Sequence, residues 1–382
     1  MLLINSSFVG GLGAARKTAS FIKFIENRTR YSLLTDSASA RKLELFGLKA
    51  DTVVPVSAES QPEEIYSAVR ESLSAVDYDA MISFGWRTYV PADAIGRDRP
   101  VLIVDGGWPE KFESYPSPFW KDVYSRVDAY CLTNHFGNPE LTELISSHDE
   151  TKFRWIFHPF QQSEILWHLN LRQKIEQIKP SLPFHVPGHR VIFLNMDHDY
   201  ISPIQGTFTG GWLNPKQIDE CRGFVTRLIV ELDALKQPLI LVTHETIAAQ
   251  FEPVIAQCRF LKVFSHPALS LEQHHIWRAC ADLVLLRAAR SVGAAQVALS
   301  GIPALHTICP ATGNYMGELS SCQIAQQMGI AKYVDHQAVS IADSIMNHLD
   351  SDESKELADL AQIEAITFWC TNGPENLLNL LS

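Results

Sequence analysis

The sequence predicts an α/β protein made of two consecutive doubly wound domains, and three observations carry that expectation. Short apolar runs alternate with helix-spaced apolar patterns from the first residues onward. A polar, proline-punctuated stretch interrupts the alternation once, and the alternation then starts again. The length, 382 residues, exceeds that of a usual single domain, and 46% hydrophobic residues suffice to fill two cores.

In the first series, strands are expected at residues 2–5, 31–35, 52–56, 79–84, 101–105, 129–133 and 154–158, with helices at 17–26, 37–46 and 62–76. Strand–helix–strand repetition at this spacing means parallel strands covered by helices on both faces. From 160 to 190 the chain is polar and helical, then broken by Pro180, Pro183 and Pro187. The second series places strands at 191–195, 239–243, 260–264, 283–287 and 304–308. Its helices are expected at 215–235, 246–257, 271–280, 292–300 and 317–328, with further helices running to the end. The expected division is a first domain over 1–165, a connection over 166–189, a second domain over 190–365 and a terminal helix over 366–382.

Composition narrows the function classes. A formal net charge of -11 disfavours a general nucleic-acid binder, which neutralises phosphates with clustered Lys and Arg. The first residues, Met1-Leu2-Leu3-Ile4-Asn5, suit a strand and lack the apolar core of a signal peptide. No stretch approaches the ~20 uninterrupted apolar residues of a membrane-spanning helix. The seven cysteines are scattered without a C-x-x-C pair, which fits free thiols in a reducing cytoplasm and disfavours a zinc site.

Three segments have the form of ligand loops. Gly10-Gly11-Leu12-Gly13 directly follows the first strand, where glycines permit a tight turn and close approach to a ligand. A packing turn explains the same residues, and Thr35-Asp36 is the nearest candidate for an acid at the second strand's end. Asp105-Gly106-Gly107-Trp108-Pro109-Glu110 ends the apolar run 101–105, so Asp105 is either a general base or the cap of the following turn. The third segment runs from Ala281-Asp282-Leu283 through Arg287, Arg290 and Ser291 into the small-residue helix Val292-Gly293-Ala294-Ala295-Gln296, closing at Gly301-Ile302-Pro303. That helix start offers unpaired N–H groups to a diphosphate, and either arginine adds charge-assisted hydrogen bonds. As structure alone it is an ordinary β-α-β unit.

Between the second domain's first strand and its first helix lies an insert containing Asp197-His198-Asp199 and Gly206-Thr207-Phe208-Thr209-Gly210-Gly211. The acid–His–acid triplet suits a metal or an acid–base pair, but adjacent residues rarely converge on one ion, so a solvated loop is the expectation. No metal site is expected. His244 ends a strand facing the same edge and is either a ligand residue or part of a helix-starting turn. His274-His275 and Asn134-His135 read as surface or turn histidines.

The third segment resembles the donor-site signature of GT-B glycosyltransferases, especially the bacterial N-acetylglucosaminyltransferase that makes lipid II and its relatives. The family pattern A-D-L-V-(I/V)-x-R, a small-residue helix, then G-x-P-(A/V)-L is resembled by 281–287, with Leu285 at the (I/V) position, and by Gly301-Ile302-Pro303-Ala304-Leu305. The likeness reaches from Phe264 to Val334. It implies a GT-B fold, two Rossmann-like doubly wound domains separated by a cleft, with the acceptor on the first domain and the nucleotide sugar on the second. By position, it implies ribose binding by Gln296 where the family usually has Glu, and diphosphate contact at Ser291 and Gly293. It implies sugar contact near Glu318 and base reading at the strand end Phe264-Ser265-His266. Gly11, Gly13, Trp108 and Glu110 would face the acceptor.

Besides Gln296, the chain departs from the family in two further places. The first glycine loop lacks the His the family commonly uses, and the second domain's first glycine loop is replaced by the insert 195–214. The implied activity is sugar transfer from a UDP- or dTDP-type donor to an unidentified acceptor, inverting, metal-independent and without a cofactor. Two alternatives stay open. One is epimerisation or hydrolysis of a nucleotide sugar by the same fold. The other is a non-catalytic binding or activator protein, favoured by the missing His and by Gln296.

Overall fold

The structure is a computed structural model that describes residues 1–6, 12–56, 60, 62–84, 98–105, 127–132, 153–155, 162–195, 215–267, 269–286, 292–308, 325–327, 329, 331–336, 338–369 and 373–381. The chain forms two compact units. One gathers Met1–Gln162 and Phe368–Ser382, the other Ser163–Ile204 and Trp212–Thr367.

The first unit holds β1 (Leu2–Ser6), α1 (Leu12–Ile25), β2 (Tyr31–Asp36), α2 (Ser37–Glu44), β3 (Thr52–Val54) and α3 (Pro62–Ser74). These are followed by β4 (Ala80–Phe84), β5 (Val101–Asp105), β6 (Ala129–Leu132) and β7 (Phe153–Trp155). The seven strands form one parallel sheet in the order β3-β2-β1-β4-β5-β6-β7. Leu3, Ile4, Leu33, Ile82 and Ile103 are wholly buried, as strands covered on both faces must be. At the carboxyl ends the buried residues turn polar. Asn5 donates to Ser83 Oγ at 2.9 Å, and Thr35 Oγ1 donates to the Ser6 carbonyl at 3.2 Å. Asp36 is fully buried and accepts from the Ser39 N–H at 3.1 Å, so this acid caps α2.

The second unit begins with α4 (Gln162–Ile178), a 3-10 turn over Lys179–Ser181 and β8 (Arg190–Asn195). It continues through α5 (Pro215–Ala234), β9 (Leu239–His244), α6 (Glu245–Gln250), α7 (Glu252–Ile255), β10 (Lys262–His266) and α8 (Leu271–Ala279). Then come β11 (Leu283–Leu286), α9 (Val292–Leu299), β12 (Ala304–Ile308), β13 (Lys332–Asp335), α10 (Ile341–Leu349) and α11 (Asp352–Trp369). The last helix, α12 (Gly373–Asn379), belongs to the first unit, where Leu377 is buried. Six parallel strands are ordered β10-β9-β8-β11-β12-β13.

Alternate residues of these strands feed opposite cores. Ile192, Leu194, Leu239, Leu241, Leu283 and Leu285 pack with Phe224, Leu228, Ile341 and Ile345 of α5 and α10. Their neighbours Val191, Phe193, Ile240, Val242, Val284 and Leu286 pack with Leu171, Phe184, Ala294 and Val297. Residues 166–182, which the sequence offered as part of a connection, thus contribute Leu171 to this second core.

Several element boundaries differ from the sequence expectation, and two of the differences have a direct physical cause. One helix expected over 246–257 is two, broken at Phe251, because Pro253 has no N–H to continue the ladder and instead begins α7. The strand expected at 260–264 runs from Lys262 to His266, because the N–H groups of Arg259, Phe260 and Leu261 all donate to Asp233 Oδ1 at 2.7–2.9 Å. A backbone so held cannot pair with a neighbouring strand.

α9 closes at Gly301, which has φ +60; its N–H donates to Ala298 at 2.9 Å and that of Ile302 to Val297 at 3.3 Å. Arg172 of α4 lies across this glycine and bonds Asp359 and Gln362 of α11, while Gln362 donates to the Leu299 carbonyl at 2.7 Å. A Cβ at Gly301 would lie 2.5 Å from Arg172 Nη1. Gly301→Ala is expected to lower stability by about 1–2 kcal/mol, combining left-handed strain with displacement of that guanidinium, as read by the urea midpoint.

Candidate functional site

In the second unit the strand order reverses between β8 and β11. Crossovers leave these two strands in opposite directions, so the carboxyl edge opens there and is the usual ligand position of an open α/β sheet. β9 and β10 end next to it in His244 and His266, which are register partners.

The hydrogen bonds of these rings fix their tautomers. His244 Nδ1 accepts from the Thr246 N–H at 3.2 Å and lies 2.8 Å from Thr246 Oγ1, capping α6. A nitrogen that accepts from an amide carries no proton, so the neutral ring bears its hydrogen on Nε2. His266 Nδ1 lies 2.8 Å from the Pro267 carbonyl, which can only accept, so Nδ1 carries the hydrogen and Nε2 is the acceptor in the neutral ring. The rings stand 5.3 Å apart and perpendicular, with His266 stacked on Phe193 at 5.8 Å. The two adjacent strand ends thus carry rings of opposite hydrogen-bonding character. Phe264 sits two residues before His266 on β10 and packs against Phe184 and Trp277.

Behind them lies a polar interior supplied by α8, α9 and α4. The Arg278 guanidinium, 2% exposed, donates to His275 Nδ1 at 2.8 Å and to Gln296 Oε1 at 3.3 Å. Gln296 is itself buried on α9, with its amide oxygen engaged by Arg278. His168 of α4 pairs with Ser300 Oγ at 2.9 Å and stands edge-on to His275 at 5.1 Å. His274 contacts the rings of Phe193 and His266. Burial, then the charges of Arg278, His266 and His244, lower its pKa to about 3.

This corrects the reading of His274-His275 as surface histidines. The inward face of α8 carries His275 and Arg278 beside the core residue Ala279, and hydropathy periodicity reports only apolar faces. The i, i+3 spacing of His275 and Arg278 on a helix flanked by apolar strands is the signal that was present. Asp282 of the A-D-L pattern is structural: it accepts from the Val191 N–H at 2.7 Å and pairs with Lys179 at 2.5 Å, at the amino end of β11.

Gly293 is the second residue of α9, directly after the loop that carries Ser291. Ser291, Arg287, Arg290 and Glu318 lie outside the described residues, as do Gly11, Trp108, Glu110 and the triplet 197–199. Asp105 is the last residue of β5 in the first unit, with its side chain outside the described part, and Gly13 lies in the first turn of α1. Among the described residues, no group of His, Cys, Asp and Glu is arranged to hold a metal ion, and no helix is long and apolar enough to cross a membrane.

Solved structures match this architecture over the whole chain. UDP-GlcNAc 2-epimerase from Neisseria meningitidis, bound to UDP-GlcNAc, superposes with a TM-score of 0.67 at 14% identity, covering 100% of this chain and 99% of that one. MurG from Acinetobacter baumannii does so with 0.58 at 14% identity, covering 100% and 98%. The fold is GT-B. A glycosyltransferase from Rickettsia africae gives 0.61 at 13% identity, covering 99% and 97%. The GT-B resemblance read from 281–305 thus agrees with the three-dimensional match. No family model and no curated protein sequence matches.

Because His274 is held neutral in the folded chain, the unfolded chain binds the extra proton between its ordinary pKa near 6.5 and the folded value of about 3. Its contribution to stability is complete above pH 6.5 and declines as the pH falls below it. Urea unfolding at pH 7.5 and pH 5 should show a loss that His274→Phe reduces by about 1 kcal/mol, a figure discounted for the partial exposure of the ring.

Proposed function

We propose that this chain is a glycosyltransferase that takes a sugar from a nucleoside-diphosphate donor of the UDP or dTDP type. The carrying observation is the carboxyl edge of the second unit's sheet, where His244 and His266 present opposite hydrogen-bonding character beside the strand-order reversal. A donor and an acceptor side by side suit a pyrimidine edge bearing a carbonyl and an N–H. The GT-B fold, shared with MurG and with an epimerase bound to UDP-GlcNAc, supports the same reading.

In this reading the base meets the ends of β9 and β10, with Phe264 backing the rings. The diphosphate lies at the start of α9, at Ser291 and Gly293, where N–H groups and Arg287 or Arg290 stabilise the charge of the leaving group. Gln296 meets the ribose through its amide nitrogen, since its oxygen is held by Arg278. Glu318 contacts the donor sugar. On the first unit, Gly11, Gly13, Trp108 and Glu110 bind the acceptor. Asp105 removes the proton of the acceptor hydroxyl as its oxygen bonds to the anomeric carbon. The bond from that carbon to the diphosphate oxygen breaks with inversion, and its electron pair leaves with the nucleoside diphosphate. No metal takes part.

A second reading, epimerisation of the nucleotide sugar, is favoured by the TM-score of 0.67 to the epimerase. It predicts turnover of the donor with no acceptor present.

Calorimetric titration with UDP, dTDP, GDP and CDP should give selective binding of a pyrimidine diphosphate. Affinity should fall about tenfold in His266→Phe, the cost of roughly one hydrogen bond. Silence across the panel with folded protein would overturn the transferase reading. Asp197 and Asp199 have the spacing of a carboxylate pair, so chelation is a direct test of metal independence. EDTA should leave turnover unchanged within about twofold, and a complete loss restored by a divalent cation would overturn it.

A further inference from the structure

Two residues of α9 share one face of the helix: Gly293 in the first turn and Gln296 three positions on. Cα–Cβ bonds in a helix tilt toward its amino end, so the Gln296 side chain leans toward the turn that carries Gly293. Gln296 is 4% exposed. Arg278 of α8 holds its amide from behind, and that guanidinium is itself anchored by donating to His275 Nδ1 at 2.8 Å.

The contact fixes polarity as well as position. A guanidinium has donors only, so the amide atom 3.3 Å from Arg278 must be Oε1, because the other orientation sets N–H against N–H. Nε2 is thereby turned away from Arg278. It hydrogen-bonds no described residue and retains accessible surface. The atom of this side chain left for a ligand is a donor. A carboxylate in its place would leave an acceptor there instead.

That difference decides which pentose suits the site. Two neighbouring hydroxyls each carry a proton that needs an acceptor once water is removed. A carboxylate accepts from both, whereas an N–H accepts from neither and can only donate to a hydroxyl oxygen. A 2′-deoxy sugar brings one such proton fewer, and its methylene at C2′ asks nothing of the amide.

We propose that the Arg278–Gln296 pair makes a 2′-deoxynucleoside diphosphate the favoured carrier of the transferred sugar. Gln296 touches the pentose, and Arg278 is a positioning residue that sets which atom of the amide faces it. The proposal rests on the nucleotide site put forward above and adds the pentose to it.

UDP and dUDP differ by the 2′ hydroxyl alone, so the test is calorimetric titration of the full chain with both. The parent should bind dUDP about fivefold more tightly than UDP, the residue of one unsatisfied hydroxyl after partial compensation. Gln296→Glu supplies the missing acceptor and should move the ratio of the two Kd values about tenfold toward UDP. Arg278→Met releases the amide to turn over and should move the ratio the same way. Lost packing alone would weaken both ligands together and leave the ratio where it was. UDP bound as tightly as dUDP or more tightly by the parent, or a ratio unmoved in both variants, overturns the proposal and leaves the nucleotide site standing. The comparison in the parent decides even where a variant fails to fold. Binding of neither diphosphate overturns the nucleotide site, and the proposal with it.

Discussion

A parallel strand cannot turn back on its neighbour through a tight loop, so every connection between paired strands must cross a face of the sheet. Much else in this protein follows from that constraint. Both faces need cover, so successive residues of β8, β9 and β11 are apolar and feed two separate cores. Every strand runs the same way, so all chain exits from strand to helix gather at one edge. Where the direction of winding reverses, between β8 and β11, that edge is parted, and residues there are released from packing for other work.

The interior behind this edge shows what that release costs. Arg278, His275, Gln296, His168 and Ser300 are all buried; Arg278 bonds His275 and Gln296, His168 pairs with Ser300, and the two sets meet where the rings of His168 and His275 stand edge-on. Polar side chains at such depth are tolerated when each finds a partner and become expensive when one is removed. Gln296 meets the guanidinium of Arg278 as a neutral amide. A carboxylate there would create a buried ion pair, with a larger desolvation cost and a different balance of charge toward an anionic ligand.

The amino end of the second sheet is held by charged and amide side chains. There the closing turn of α9, which leads into β12, is clamped by Arg172, Asp359 and Gln362, and with it the helix that carries Gly293 and Gln296. At the same end, Asp282 pins the start of β8 and takes up Lys179, while His348 interrupts an otherwise aliphatic stripe. An acid drawn from a sequence signature thus holds strands together.

The sequence by itself determined the local elements, because strand and helix periodicities are written in neighbouring residues. The two α/β series, the run at 283–286, the small-residue helix after it and its closure at Gly301 were all legible in this way. His244 stood out as the residue that follows an apolar run, whereas His266 entered through the family resemblance alone. Tertiary structure decided the rest. Asp36 became a helix cap, and Asp233, far along the chain from the strand it delays, captured three N–H groups of 259–261. His274 and His275 turned inward because Arg278, Gln296 and the strand ends met them there, and His168 found Ser300 across more than a hundred residues. Whether a polar side chain is buried depends on partners that only the folded chain brings within reach. Periodicity, which registers only where apolar residues recur, is silent on that point.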